Sequence, residues 1–243
     1  MITRGIFVTG TDTGVGKTYL TCLLASHFQQ SGHSVGLYKP ACSGAERSES
    51  GDWVWDDLER LAAVLPDGVN REWICPQKWK APLAPPVAAE REGMQVDRDL
   101  LRTGAARWLG RVEFLLVEGV GGWRSPIADG ETVAELARDL GFPVLIVAAN
   151  RLGMINQTLL TLESIRNLSL PVSGIVVNSL YGEDDESIGT NADVLRRMTS
   201  VPVWGPLPQE TGAESNARDQ IVRQVAFGLQ HAQSEEISAG DIR

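Results

Sequence analysis

Apolar and polar positions follow two periods along this chain. Short apolar runs recur at Gly5–Thr9, Ser34–Tyr38, Phe114–Glu118, Pro143–Ala149, Val172–Asn178 and Val201–Trp204. Between them, apolar residues return at helical spacing near Lys17–Gln30, Asp56–Val64, Asp97–Leu109, Thr132–Leu140, Asn156–Asn167 and Asp193–Thr199. An unbroken run such as Val144-Leu145-Ile146-Val147-Ala148-Ala149 leaves no polar face, which is the signature of a strand covered on both sides. Strands alternating with helices predict an α/β fold: a mostly parallel sheet with right-handed crossovers and helices on both faces. Ligands of such sheets collect outside the carboxyl ends of the strands. The segment Pro66–Glu92, with Pro66, Pro76, Pro82, Pro85 and Pro86, is expected to be a long irregular excursion. With no internal repeat and no linker, residues 1–232 are expected to form a single domain. The polar stretch 233–243 is expected to be a disordered tail.

The first strand runs directly into Thr9-Gly10-Thr11-Asp12-Thr13-Gly14-Val15-Gly16-Lys17-Thr18, and a helical pattern follows. A glycine-rich loop between strand and helix curls around phosphates, with backbone N–H groups and the helix N-terminus facing the anion. Lys17 would reach the outer phosphates and Thr18 would offer its hydroxyl to Mg²⁺. The usual first glycine position holds Thr11, and the glycine stands one place earlier at Gly10. The expected fold is therefore P-loop NTPase-like.

Other residues with chemistry also close strands. The second strand ends in Tyr38-Lys39-Pro40; a lysine there either meets an anion or exits to solvent, because burying an unpaired charge is costly. The third ends in Glu118, followed by Gly119-Val120-Gly121-Gly122-Trp123, and a carboxylate beside a phosphate loop is where Mg²⁺ finds an acidic partner. Asp56 and Asp57 open a helix, where acidic residues also serve as caps. Asn156 reads equally as an N-cap and as part of a carboxylate-binding helix start at Gly153–Asn156. Asn178 suits a purine edge or a strand-end turn.

Composition narrows the choice of function. A formal charge of −9 argues against nucleic-acid binding, which needs a basic face. Cys22, Cys42 and Cys75 form no disulfide or zinc pattern, so a reducing, cytoplasmic compartment is expected. No membrane span and no signal peptide are expected. His27, His33 and His231 stand apart from any nucleophile motif, so histidine-based hydrolysis and histidine metal sites are not expected.

Taken together, Gly-Thr-Asp-Thr-x-Val-Gly-Lys-Thr at 10–18, Tyr-Lys-Pro-x-x-Ser-Gly at 38–44 and Val-Glu-Gly-x-Gly-Gly-Trp at 117–123 resemble the dethiobiotin synthetase family. Leu-Gly-x-Ile-Asn at 152–156 and Asn178 are weaker matches. The resemblance covers roughly residues 1–210 and includes the displaced loop glycine. It implies a cyclo-ligase of biotin synthesis, in which 7,8-diaminononanoate takes up CO₂ (or bicarbonate) as a carbamate. That carbamate attacks the γ-phosphate of ATP, and the second amine closes the ring. By carry-over, Thr13, Gly14, Val15, Gly16, Lys17, Thr18 and Tyr19 hold the triphosphate. Thr18, Asp56 and Glu118 surround Mg²⁺, and Lys17, Lys39 and Thr13 neutralise the transferring group. Gly119, Val120 and Gly121 line the nucleotide, while Asn178, Ser179, Pro208, Gln209 and Glu210 reach its base or ribose. Ser43 touches the diamine, and Gly153, Met154, Ile155 and Asn156 bind its carboxylate across a homodimer interface. The chain departs from the family at Gly14, where a member carries Glu, and at Pro85-Pro86, where Pro-His is frequent.

Two other readings share this nucleotide-binding pattern. A cobyrinic-acid amidase-like synthetase needs a glutaminase domain with a Cys–His pair, for which 243 residues are too few. A dimerising switch ATPase of the partitioning type carries a lysine near the start of the loop, where this chain has Asp12.

Overall fold

The computed structural model describes residues 2–179, 186–208 and 215–240, with side chains as far as residue 231. The chain opens with β1 (Arg4–Gly10), α1 (Lys17–Gln30) and β2 (Val35–Tyr38). Short β3 (Ala41–Ser43), β4 (Glu46–Arg47) and β5 (Trp53–Val54) follow, and then α2 (Asp56–Ala63), α3 (Arg71–Ile74), β6 (Gln77–Trp79), α4 (Pro85–Arg91) and α5 (Arg98–Ala106). Next come β7 (Phe114–Glu118), β8 (Pro126–Ala128), β9 (Glu131–Thr132), α6 (Val133–Leu140), β10 (Val144–Ala149), α7 (Met154–Arg166) and β11 (Val172–Asn178). A 3₁₀ turn at Glu186–Gly189, α8 (Asn191–Met198), β12 (Val203–Leu207) and α9 (Ser215–Gly240) complete the described chain.

Six strands form one sheet in the order β12-β11-β10-β1-β7-β2, and each neighbouring pair is parallel. Every residue of β2, β7 and β10 is buried, as their unbroken apolar sequences require of strands covered on both faces. Because all six strands point the same way, their carboxyl ends share one edge. β1 lies between β7 and β10, so the loop that leaves it is flanked by the ends of both neighbours.

The pattern of apolar residues located these six strands and six of the helices, with ends displaced by a few residues. The segment Pro66–Glu92 is not the irregular excursion expected. It contains α3, β6 paired in parallel with β3, and α4, which starts on Pro85-Pro86, where a missing N–H costs nothing in a first helical turn. Helix α9 was not anticipated. Its buried Val222, Val225, Ala226 and Leu229 have helical spacing, and the helix packs on α1 and against β11 and β12. The stretch expected to be a tail from residue 233 continues the α9 backbone to Gly240. No helix among the described residues is long and apolar enough to cross a membrane.

Candidate nucleotide-binding active site

The carboxyl end of β1 becomes the glycine loop. Gly14 and Gly16 have φ of +73° and +93°, in the left-handed region that favours glycine. Gly16 is the N-cap of α1, so the first turn presents its free N–H groups to the loop. At Gly16 a side chain is excluded in any case, since a Cβ would lie 2.1 Å from Asn178 Nδ2. Asn178, at the end of β11, donates from that nitrogen to the Val15 carbonyl at 2.9 Å and braces the loop from beneath. The expectation that Asn178 addresses a nucleobase is joined by this structural duty. Its Oδ1 is buried with no hydrogen-bond partner among the described residues.

Strand register explains the charged centre. The parallel pairing of Tyr38 with Val117 sets the next residues, Lys39 and Glu118, side by side at the strand ends. Lys39 Nζ lies 2.6 Å from Glu118 Oε1 and 2.8 Å from Asp57 Oδ2. The Thr18 hydroxyl lies 2.7 Å from Glu118 Oε1 and 2.8 Å from Asp57 Oδ1; it has one proton and donates to one of them at a time. Burial alone would depress Lys39, but Glu118 and Asp57 outweigh it and hold the ammonium well above its ordinary range. Lys17 is also buried and donates to the Asp12 carbonyl at 3.1 Å. Burial, followed by the charge of Lys39, lowers its pKa to about 8.

Asp56 borders the same cleft together with Arg60, but its carboxylate pairs with Arg60 Nε at 2.8 Å, and Asp57 is the carboxylate in contact with Thr18 and Lys39. The reason is helical: Asp56 is one turn from exposed Arg60, while Asp57 is one turn from buried Leu61. That spacing was the available signal.

These residues line a cleft of about 400 Å³ with Thr13, Gly14, Gly16, Tyr19, Cys42, Ser43, Val120 and Gly121. Thr13, Ser43, Val120 and Gly121 also border an adjoining pocket of about 330 Å³ walled by Pro82, Leu83, Ala84, Pro85 and Pro126. The glycines after Glu118 allow this close approach. A Cβ at Gly122 would lie 3.3 Å from Asp12 Cα, and Trp123 N–H donates to the Gly10 carbonyl at 3.1 Å. Gly119 N–H donates to the Val8 carbonyl at 2.9 Å. Gly153, Met154, Ile155 and Asn156 stand at the start of α7, apart from the cleft lining. Gly153, with φ of +91°, is the N-cap, so Asn156 lies inside the first turn rather than at the cap. Ser179 N–H donates to the Leu207 carbonyl at 3.0 Å, next to Pro208. Gln209 and Glu210 lie outside the described residues.

The chemistry of the donors suits Mg²⁺. Glu118 Oε2 is buried with no hydrogen-bond partner among the described residues, beside the Thr18 hydroxyl and Asp57. Mg²⁺ takes one or two carboxylates and completes its shell with water and phosphate oxygens. Among the described residues no group of three or more His, Cys, Asp or Glu forms a separate metal cluster.

The family described as an AAA domain matches residues 4–217. The ATP-dependent dethiobiotin synthetase BioD of Rhodopirellula baltica is 36% identical over 92% of this chain and 94% of its own. That of Anaeromyxobacter dehalogenans is 40% identical over 88% and 94%, and that of Bacillus subtilis 36% over 85% and 87%. The chain belongs to the ATP-dependent dethiobiotin synthetase family. Its fold is also that of the Pyrococcus furiosus cell-division ATPase MinD (TM-score 0.57, 15% identity, 95% of this chain and 100% of that one). Cobyrinic acid a,c-diamide synthase of Mycobacterium smegmatis is comparable (TM-score 0.51, 14% identity, 96% of each chain). At these identities the likeness is one of fold alone. The switch-ATPase reading thus reduces to a distant structural relationship, whereas the dethiobiotin synthetase family accounts for the sequence along most of its length.

Proposed function

We propose that this protein is an ATP-dependent dethiobiotin synthetase, joining 7,8-diaminononanoate and CO₂ at the expense of ATP to close the ureido ring. The observation that carries the reading is the convergence of Lys17, Lys39, Thr18, Asp57 and Glu118 at the ends of three adjacent parallel strands, around a glycine loop. Phosphoryl transfer asks for positioning and charge neutralisation more than for a covalent nucleophile on the protein.

In this reading the loop from Thr13 to Thr18 receives the triphosphate on backbone N–H groups. Lys17 leaves the Asp12 carbonyl for the outer phosphates, whose charge favours its protonated form. One amine of the diamine adds to CO₂ and loses a proton, giving a carbamate. A carbamate oxygen attacks the γ-phosphorus, and ADP departs. Lys39, kept protonated by its carboxylate partners, neutralises the oxygens that gain charge, with Thr13 and Ser43 beside it. The second amine then attacks the carbamoyl carbon and expels phosphate. Thr18, Glu118 and Asp57 would hold Mg²⁺, which when bound offsets phosphate charge. The α7 start at Gly153–Asn156 would receive the substrate carboxylate across a homodimer interface, and Asn178, Ser179 and Pro208 would border the base.

The test is product formation. With ATP, Mg²⁺, bicarbonate and the diamine, we expect ADP, phosphate and dethiobiotin in equal amounts, by coupled assay and mass spectrometry. ATP hydrolysis indifferent to the diamine would overturn the proposal.

A further inference from the structure

Asp12 is the single carboxylate of the glycine loop, and three contacts meet on it. Its Oδ1 accepts the Thr13 N–H at 2.7 Å. Its carbonyl accepts Lys17 Nζ at 3.1 Å. Its Oδ2 faces Arg151 Nη2 at 3.5 Å. Arg151 lies just after β10 and two residues before Gly153, where α7 begins. A residue that fixes Asp12 therefore acts on two groups facing the phosphates, and Arg151 reaches it from the start of another helix.

A second tie runs parallel to the first. Val15 O accepts from Asn178 Nδ2 at 2.9 Å, and the Asn178 carbonyl accepts the Asn150 N–H at 2.8 Å. Asn150 is then held from the far side: its Nδ2 donates to the Ile188 carbonyl and its Oδ1 accepts from Asn191 Nδ2, both at 3.1 Å. Residues 150 and 151 are thus fastened to the glycine loop at two points. The buried asparagine tie fixes the backbone. The half-exposed Arg151–Asp12 pair is the adjustable one, and an exposed ion pair contributes little to stability by itself.

We propose that Arg151 is a positioning residue that couples the glycine loop to the start of α7, so that nucleotide and diamine strengthen one another's binding. The inference rests on the proposed function, in which α7 receives the diamine carboxylate. The Arg151 pair with the Asp12 carboxylate holds residue 151 against the loop. A nucleotide that favours this arrangement presets α7, and a diamine that fixes α7 presets the loop. Linkage makes the two effects equal. In the proposed homodimer the coupling crosses between protomers.

The experiment is isothermal titration of the full chain with a nonhydrolysable ATP analogue and Mg²⁺, with and without saturating 7,8-diaminononanoate, and the converse titration. The expected wild-type enhancement is on the order of tenfold in each direction. In Arg151→Ala the enhancement falls to about onefold while each ligand alone binds within roughly threefold of wild type, as suits a small coupling term lost without a contact to either ligand. Asp12→Asn, which keeps an oxygen for the Thr13 N–H, gives the same loss, and Arg151→Lys restores most of the enhancement. Undiminished enhancement in Arg151→Ala overturns the inference, as does a wild type that binds both ligands independently. A loss of both separate affinities with the enhancement retained marks Arg151 as a structural brace and also overturns it. A wild type that binds nucleotide but not the diamine overturns the functional reading and the coupling with it.

Discussion

Lys39 and Glu118 meet at 2.6 Å at the ends of two neighbouring parallel strands, with 3% and 1% of their surfaces exposed. Neither would tolerate that burial alone. Their pairing is fixed by strand register, so the same contact that lets the site form also keeps the Lys39 amine protonated at the cleft.

Replacing Lys39 by Ala leaves Glu118 as a buried charge short of its main partner. Breaking a buried pair from one side costs about 3–5 kcal/mol. Urea unfolding should show that loss, and the double variant Lys39→Ala/Glu118→Gln should recover part of it. Turnover should vanish in both. A wild-type unfolding midpoint for Lys39→Ala would show that the pair is irrelevant to stability.

Asp56→Asn and Asp57→Asn separate two adjacent carboxylates. Asp56 holds an exposed pair with Arg60, so its loss should change stability by at most about 1 kcal/mol and leave turnover near wild type. Asp57→Asn should raise the Mg²⁺ concentration needed for half-maximal activity. Equal effects at the two positions would contradict the geometry.

In the proposed reaction, Lys17→Ala removes one preorganised donor from the transferring phosphate. Loss of about 3 kcal/mol of transition-state stabilisation, roughly a hundredfold in kcat, is expected. Steady-state kinetics with saturating diamine reads it directly.

Gly16→Ala imposes both a left-handed φ on a residue with a side chain and a Cβ 2.1 Å from Asn178 Nδ2. Nucleotide affinity should drop sharply. Adding Asn178→Ala removes the clash but not the backbone strain of about 1–2 kcal/mol, so the double variant should regain only part of the affinity. Full recovery would mean that the clash alone matters.

Acid stability should reveal the ion network between α5, β9 and α6. Burial would raise Glu131, but hydrogen bonds from Arg98 and Arg102 outweigh it and hold the carboxyl below its ordinary 4.5. At Asp139, Arg102 and Arg138 likewise outweigh burial and hold the carboxyl below 3.8. A carboxylate with a depressed folded pKa stabilises the fold above its unfolded value and loses that contribution as pH falls through the folded one. Arg102→Ala should therefore cost about 1 kcal/mol near pH 7, and the difference from wild type should shrink below about pH 4, where the unfolded-state carboxylates take up protons.

Much of this was legible before the fold was known. The apolar runs located β1, β2, β7, β10 and β11 because a strand buried on both faces has no polar positions to confuse the pattern; β12, half-exposed over most of its length, lies two to three residues beyond the run that marked it. Gly10–Thr18 announced a phosphate loop because its glycines meet local backbone demands. Ile74, Trp79, Ala88 and Ala89 hid their structure, since α3, β6 and α4 are short elements stabilised by the core they join rather than by their own periodicity. Asp56 takes its metal role from the family resemblance alone, since both carboxylates suit a helix start equally; the contacts of Asp57 with Thr18 and Lys39 come only with the fold.

The linear sequence by itself determined the alternation of strand and helix, the glycine loop with Lys17 at its helix start, and the supply of a lysine and a glutamate at strand ends, for these depend on neighbours in the chain. Tertiary structure alone decided which of these charges touch. Lys39 meets Glu118 across 79 positions, and Arg151 meets Asp12 from just beyond the end of β10. Both contacts lie at the shared carboxyl edge of neighbouring strands, and they are set by strand order and register, which arise when the whole sheet assembles and no local segment encodes them.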